Sequence, residues 1–118
     1  MTPFTFQNAT AYNAGTLTGN QLSTGNNSSS MLWFTPASSY DGSIAFQFSP
    51  DGGTTWFALP FYDVTSAIGT ALYTLASPGA SKAYVAAIPT NAIVRLLMSG
   101  GTQGTLTAYG LLTSFLAP

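Results

Sequence analysis

The residues able to do chemistry in this chain are few: Asp41, Asp51, Asp63, Lys82 and Arg95 carry all of its formal charge, for a net of -1. There is no histidine and no cysteine, and every acidic residue is an aspartate. Without His the usual general base at neutral pH is missing. Without Cys there is no thiolate nucleophile, no disulfide framework and no Cys-type zinc site. Asp, Lys and Tyr alone do not assemble a nucleophile and its base, so no catalytic, cofactor-binding or metal-binding residue is assigned and the expectation is a protein that is not an enzyme.

The same scarcity bounds the partners. Two basic residues cannot neutralise enough phosphates for nucleic-acid binding, so none is expected. The longest apolar run, residues 93 to 98, is interrupted by Arg95 and falls far short of the ~20 residues that span a bilayer, so no membrane is expected either. The start, Met1-Thr2-Pro3-Phe4-Thr5-Phe6, has neither a basic nor an apolar signal region, so secretion is not expected. The sequons at Asn8, Asn26 and Asn27 therefore read as products of an Asn/Ser/Thr-rich stretch. Charged residues make up 4% of the chain against about 25% in average soluble domains, while 46% are hydrophobic. Such a surface repels its own copies weakly, which points to an assembly component that forms homo-oligomers.

The elements that must carry these residues are strands. From residue 31 onward, short runs of aromatic and β-branched residues alternate with Gly, Pro, Asp and Ser. Candidate strands cover residues 31–35, 42–48, 55–59, 72–75, 82–88, 93–98 and 105–115, with at most a helical turn or two over 64–71. Residues 42–48 and 55–59 pair as a hairpin, and the glycines of 99–104 are placed to close a second one. The fold class is all-β, a single antiparallel sandwich or jelly roll of seven to eight strands, with an open barrel the less favoured form. Residues 1–30 read as an Asn/Ser/Thr-rich arm or edge segment and 31–118 as the domain.

Neighbouring aromatics cannot both face inward from a regular strand, so one member of Trp33-Phe34 and one of Trp56-Phe57 must reach the other face. Trp33, Phe57 and Tyr62 are the candidates for an interface or a ligand surface. Arg95 lies within Ile93-Val94-Arg95-Leu96-Leu97, where alternation turns it away from Val94 and Leu96. It either lies over the sheet or pins it by pairing with Asp41, Asp51 or Asp63.

Ser49-Pro50-Asp51-Gly52-Gly53-Thr54-Thr55-Trp56 fits the pattern Ser-x-Asp-x-Gly-x-Thr-Trp and is similar to the Asp-box of sialidases and related propellers. Its chemistry is structural. Ser49 opens the turn, Asp51 accepts from following backbone N–H groups, Gly52 and Gly53 take positive φ, Thr55 bonds across the turn and Trp56 packs beneath it. A calcium site at Asp51 and Asp41 would need six or more oxygens, which three aspartates do not supply. With one box, one Arg and no Glu, the chain lacks the carboxylate and arginine constellation of those glycosidases.

The stretch from Ile44 to Trp56, followed by Val94-Arg95-Leu96-Leu97-Met98-Ser99 and Gly104-Thr105-Leu106-Thr107-Ala108, resembles the small β-sandwich structural proteins of tailed bacteriophage virions. The resemblance covers roughly residues 31 to 113. It implies a virion structural protein, assembled in the host cytoplasm, that binds other capsid or tail proteins as a head decoration or cement protein, with trimers the implied form. The alternative it leaves open is a carbohydrate-binding or host-recognition module of a tail or fibre, with exposed aromatics stacking on sugar rings.

Overall fold

A computed structural model describes residues 3–13, 15–26, 29–64 and 70–113. It is all-β, with eleven strands in two antiparallel sheets packed face to face. The strands are β1 (Phe4–Ala11), β2 (Thr16–Leu17), β3 (Leu22–Ser23), β4 (Ser30–Ser38), β5 (Ser43–Ser49), β6 (Phe57–Ala58), β7 (Tyr62–Asp63), β8 (Leu75–Ala76), β9 (Lys82–Ala87), β10 (Ile93–Ser99) and β11 (Thr105–Thr113). One sheet runs β1-β11-β4-β9-β7; in the other, β10 and β5 form the centre, flanked by β2 and β3 on one side and by β6 and β8 on the other. The sandwich expected from the sequence is therefore the fold, with short edge pairings raising the strand count above seven or eight. The helical turn considered over 64–71 falls mostly on residues outside those described.

Alternation along the six long strands builds the core. Met31, Trp33 and Thr35 of β4, Tyr84 and Ala86 of β9, and Leu106 and Ala108 of β11 face Ile44 and Phe46 of β5 and Val94, Leu96 and Met98 of β10, all buried. The aromatic centre is Trp33, stacked on Tyr84 at 4.4 Å between ring centroids and edge-on to Phe61 at 5.1 Å. Aromatic pairs of this kind add about 0.5–1.5 kcal/mol each beyond the area they bury.

Two expectations are corrected. Of the arm and edge readings of residues 1–30, the described residues do not form an arm beside a separate domain: β1 pairs with β11, β2 and β3 pair with β10, and Phe6 lies in the core at 1% exposure. The edge reading of that stretch is the one that fits. Gln7, also buried, crosses between the sheets by donating from Nε2 to the Leu96 carbonyl at 2.9 Å, and its Oε1 accepts from the Thr10 hydroxyl at 2.8 Å. The second correction concerns residues 99–104. They do not close a hairpin, because β10 pairs with β5 in one sheet and β11 with β4 in the other. The stretch is a crossover between the layers.

A second crossover, from β4 to β5, runs beside it. The Tyr40 hydroxyl donates to the Ser99 and Gly100 carbonyls at 2.8 and 3.1 Å. The Asp41 carboxylate accepts from the Thr102 amide at 2.7 Å, the Thr102 hydroxyl at 2.5 Å and the Gln103 amide at 3.1 Å. Gly101 and Gly104 have φ of 97° and 95°, conformations that L side chains rarely adopt.

These two turns set up a contrast within one loop. A Cβ on Gly104 would lie 1.9 Å from the Ser39 carbonyl oxygen, whereas one on Gly100, at φ 70°, would meet nothing within 4 Å. Gly100→Ala is expected to cost about 1 kcal/mol from its φ alone, and Gly104→Ala at least about 3 kcal/mol because backbone must move as well. Urea denaturation measures both; equal midpoints would mean that the two crossovers do not bear on each other.

Candidate functional site

The loop from β5 to β6 gathers most of the polar side chains singled out in the sequence. Ser49, buried at the end of β5, donates from Oγ to Asp51 Oδ1 at 2.8 Å and accepts the Gly53 amide at 2.8 Å. Asp51 Oδ1 also accepts the Thr55 amide at 2.8 Å and the Thr54 amide at 3.2 Å. Gly52 and Gly53 take φ of 77° and 101°. The Trp56 indole donates from Nε1 to the Gly53 carbonyl at 3.0 Å, which seats the ring under the turn. Hydrogen bonds from the Thr55 amide and side chain, with that from Ser49, hold the Asp51 carboxyl well below the usual carboxylate range, at about 2. Each of these groups is spent on the turn itself.

Arg95 lies against this loop on the outer face of β10. Its in-register partner on β5 is Gln47, whose Oε1 accepts from Arg95 Nε at 2.8 Å. The guanidinium carbon stands 3.8 Å from the centroid of the Trp56 ring. The pairing with Asp41, Asp51 or Asp63 considered from the sequence is not made: among the described residues no carboxylate forms an ion pair with Arg95. Partial burial lowers its pKa, with no anion to raise it again. Arg95 thus joins β10 to β5 through a neutral amide and an aromatic face. The sequence named Arg95 and Trp56 but missed Gln47, because their contact follows from the pairing of β10 with β5, which no local pattern records.

The candidate surface aromatics separate into two groups. Phe57 is 48% exposed and Tyr62 38% exposed, both on short edge strands. Trp33 is fully buried and cannot contact a partner, which corrects its assignment to a surface. Its strand is phased by Met31 and Thr35, which also point inward, so Phe34 is the member of the pair that reaches the outer face.

That outer face of the five-stranded sheet is the other feature of note. Pairing register sets Tyr109 beside Phe34 and Ala83 in one row, and Leu111 beside Leu32, Val85 and Tyr62 in the next. Phe34 and Tyr109 meet edge-on at 5.7 Å. None of these residues is charged, and a groove of about 270 Å³ opens alongside, lined by Leu32, Phe34, Thr35, Pro36, Ser81, Lys82 and Ala83. Solvated outer faces of antiparallel sheets ordinarily alternate to polar residues; Thr105 and Thr107 of β11 keep to that pattern, whereas Leu32 and Phe34 of β4 depart from it.

What the fold and these sites define is an antiparallel β-sandwich whose polar side chains close turns and join strands. The same fold occurs in the crystal structure of the SPBc2 prophage-derived protein YomS, with a TM-score of 0.69 over 95% of this chain and 92% of that one, at 12% sequence identity. At that identity the likeness is one of fold. No family model matches the chain, and no curated protein matches it significantly.

Two measurements check the site. Because the folded-state pKa of Asp51 is depressed, its hydrogen bonds contribute stability that is fully present above the unfolded carboxyl value of about 3.9 and is lost as pH falls towards about 2. Asp51→Asn is therefore expected to flatten the loss of stability across that interval, read as urea midpoint against pH, and parallel curves for the two proteins would contradict it. Arg95→Met is expected to lower stability by at most about 1 kcal/mol, the scale of an exposed cation–π contact, since no buried ion pair is broken. A loss of about 3–5 kcal/mol in thermal unfolding would mean a paired, buried charge instead.

Proposed function

We propose that this chain is a non-enzymatic structural protein of a tailed-bacteriophage particle, acting through protein–protein contacts, and that its place is on the head as a decoration or cement protein. The observation that carries this reading is the near end-to-end sharing of its fold with a prophage-derived protein, 95% of one chain on 92% of the other. The placement on the head rests on the resemblance in residues 44–56 and 94–108 together with the neutral composition.

Three features support a working surface rather than a reaction. Asp41 and Asp51 are committed to turns by several hydrogen bonds each, which leaves little carboxylate chemistry to spare. The two cations belong to different sheets, Lys82 on β9 and Arg95 on β10, so they form no joined positive patch for a nucleic acid. The outer rows around Phe34 and Leu32 are apolar and charge-free, the composition expected at the centre of a protein interface. A homo-oligomer, with a trimer as its form, fits a chain whose net charge of -1 barely opposes self-association. The glycan-binding alternative loses Trp33, which is buried, and one face of the Trp56 ring, which Arg95 covers, while Tyr62 stays exposed.

The test is to purify particles from cells in which the encoding phage is produced, separate heads from tails, and measure this protein by quantitative mass spectrometry. The expected outcome is many copies per head, with heads assembled in its absence opening at lower temperature. Recovery with tails alone would end the head assignment, and absence from particles would end the structural reading altogether.

A further inference from the structure

The Arg95 guanidinium is held on two sides and left unspent on a third. Gln47 Oε1 takes the Nε hydrogen at 2.8 Å, and Trp56 covers one face at 3.8 Å. An arginine side chain carries five N–H donors, of which four belong to the two Nη nitrogens. Among the described residues no acceptor takes those four. They form the end-on edge of a planar fork whose orientation is already fixed by the amide and the ring.

Among the described residues no charge completes this fork. Asp51 turns its carboxylate to Ser49, Thr54 and Thr55, Asp41 binds Thr102 and Gln103, and Asp63 is engaged elsewhere. The four Nη hydrogens of a planar guanidinium fit the two oxygens of a carboxylate, and a fork held in one orientation is prepared for that pairing. The surroundings indicate where such a carboxylate resides. On the same outer face, the neighbouring cross-strand pair is Leu97 with Ala45, both half-buried and apolar. Arg and Trp flanked on one side by an apolar pair and on the other by the polar turn is a composition enriched at energetic centres of protein–protein interfaces. A sugar ring, by contrast, needs the aromatic face that Arg95 already occupies. A polyphosphate needs further cations, and Lys82 stands in the other sheet.

We propose that Arg95, oriented by Gln47 and Trp56, is a docking site for a carboxylate on a protein partner, an Asp or Glu side chain set in an otherwise apolar surface and bound end-on by the two Nη groups. The inference deepens the assembly reading and rests on it for the kind of partner, while the carboxylate site is a property of the isolated domain. Arg and Lys are not equivalent here, since only the planar fork can stack on Trp56 and bind a carboxylate bidentately.

Arg95 is the one arginine in the chain, so its Nε–Hε resonance in ¹⁵N-labelled protein identifies itself. Titration with the probe acetyl-Glu-Glu-Glu-amide is expected to shift that resonance and the Trp56 indole resonance saturably, with an affinity in the millimolar range. The Gln-Gln-Gln counterpart is expected to leave both unmoved. Arg95→Lys, followed through the Trp56 indole, is expected to weaken binding by about tenfold. Gln47→Leu keeps the charge but frees the fork, and a several-fold weakening is expected from it. Equal shifts from the Glu and Gln peptides, or no shift from either, would overturn the site. A shift from 3′-sialyllactose but not from the Glu peptide would overturn the protein partner in favour of an acidic glycan. Peptide binding by a protein that is missing from particles would leave the site standing and remove the assembly reading, and the reverse result would do the opposite.

Discussion

The registration of the two sheets rests on a clasp between two of the passages that join them. The chain moves between the sheets repeatedly, and its passages from β4 to β5 and from β10 to β11 touch each other. Tyr40 reaches the carbonyls at the end of β10, and Asp41 takes two amides and a hydroxyl from the return loop. Packed sheets can slide relative to one another unless something sets their offset. With no cysteine to staple the layers, these bonds, Gln7 and the Asn20 side chain, which donates to the Thr5 carbonyl, are among the polar links that hold it. The stacking of Trp33 with Tyr84 across β4 and β9, and of both against Phe61, can then be unique rather than one of several packings.

The clasp also explains the use made of so few charges. Asp41 and Asp51 each accept several N–H and O–H groups in a turn, so that a carboxylate stands in for backbone pairing where the strands end. Their pKa values are lowered by those hydrogen bonds, with no cation among the causes. Stability built this way responds to pH more than to salt, because dipoles at contact distance are screened less than separated surface charges. Arg95 follows the same pattern, its links being to an amide and a ring. The surface that results is nearly neutral, held rigid by its turns.

Much of this was legible in the sequence. The Ile44-Ala45-Phe46-Gln47-Phe48 alternation and the Ser49–Trp56 turn carry their geometry in local residue types, because each turn contact spans at most four residues. The crossover at 99–104 was misread because its glycines supply positive φ equally well to a hairpin or to a passage between layers. What decides between them is Asp41, about sixty residues away, and no local pattern records that contact. The sequence leaves residues 1–30 between an arm and an edge segment although Phe4-Thr5-Phe6 alternates like a strand; the bulges of β1 at Gln7 bring two consecutive residues, Phe6 and Gln7, inward and break the period.

The misplacement of Trp33 has a different origin, and it bears on function. Inside and outside are read from a strand when one set of alternate residues is apolar and the other polar. In β4 both sets are apolar: Met31 and Trp33 point in, Leu32 and Phe34 point out. In β11 the inward set is Leu106 and Ala108, while the outward set mixes Thr105 and Thr107 with Tyr109 and Leu111. A strand apolar on both faces reads like one covered on both sides. In β4 one apolar set is covered by the sandwich and the other lies on its outer face. The ambiguity that hid the orientation of Trp33 is therefore a physical property of the strand: a sequence apolar on both faces does not mark which face is the core.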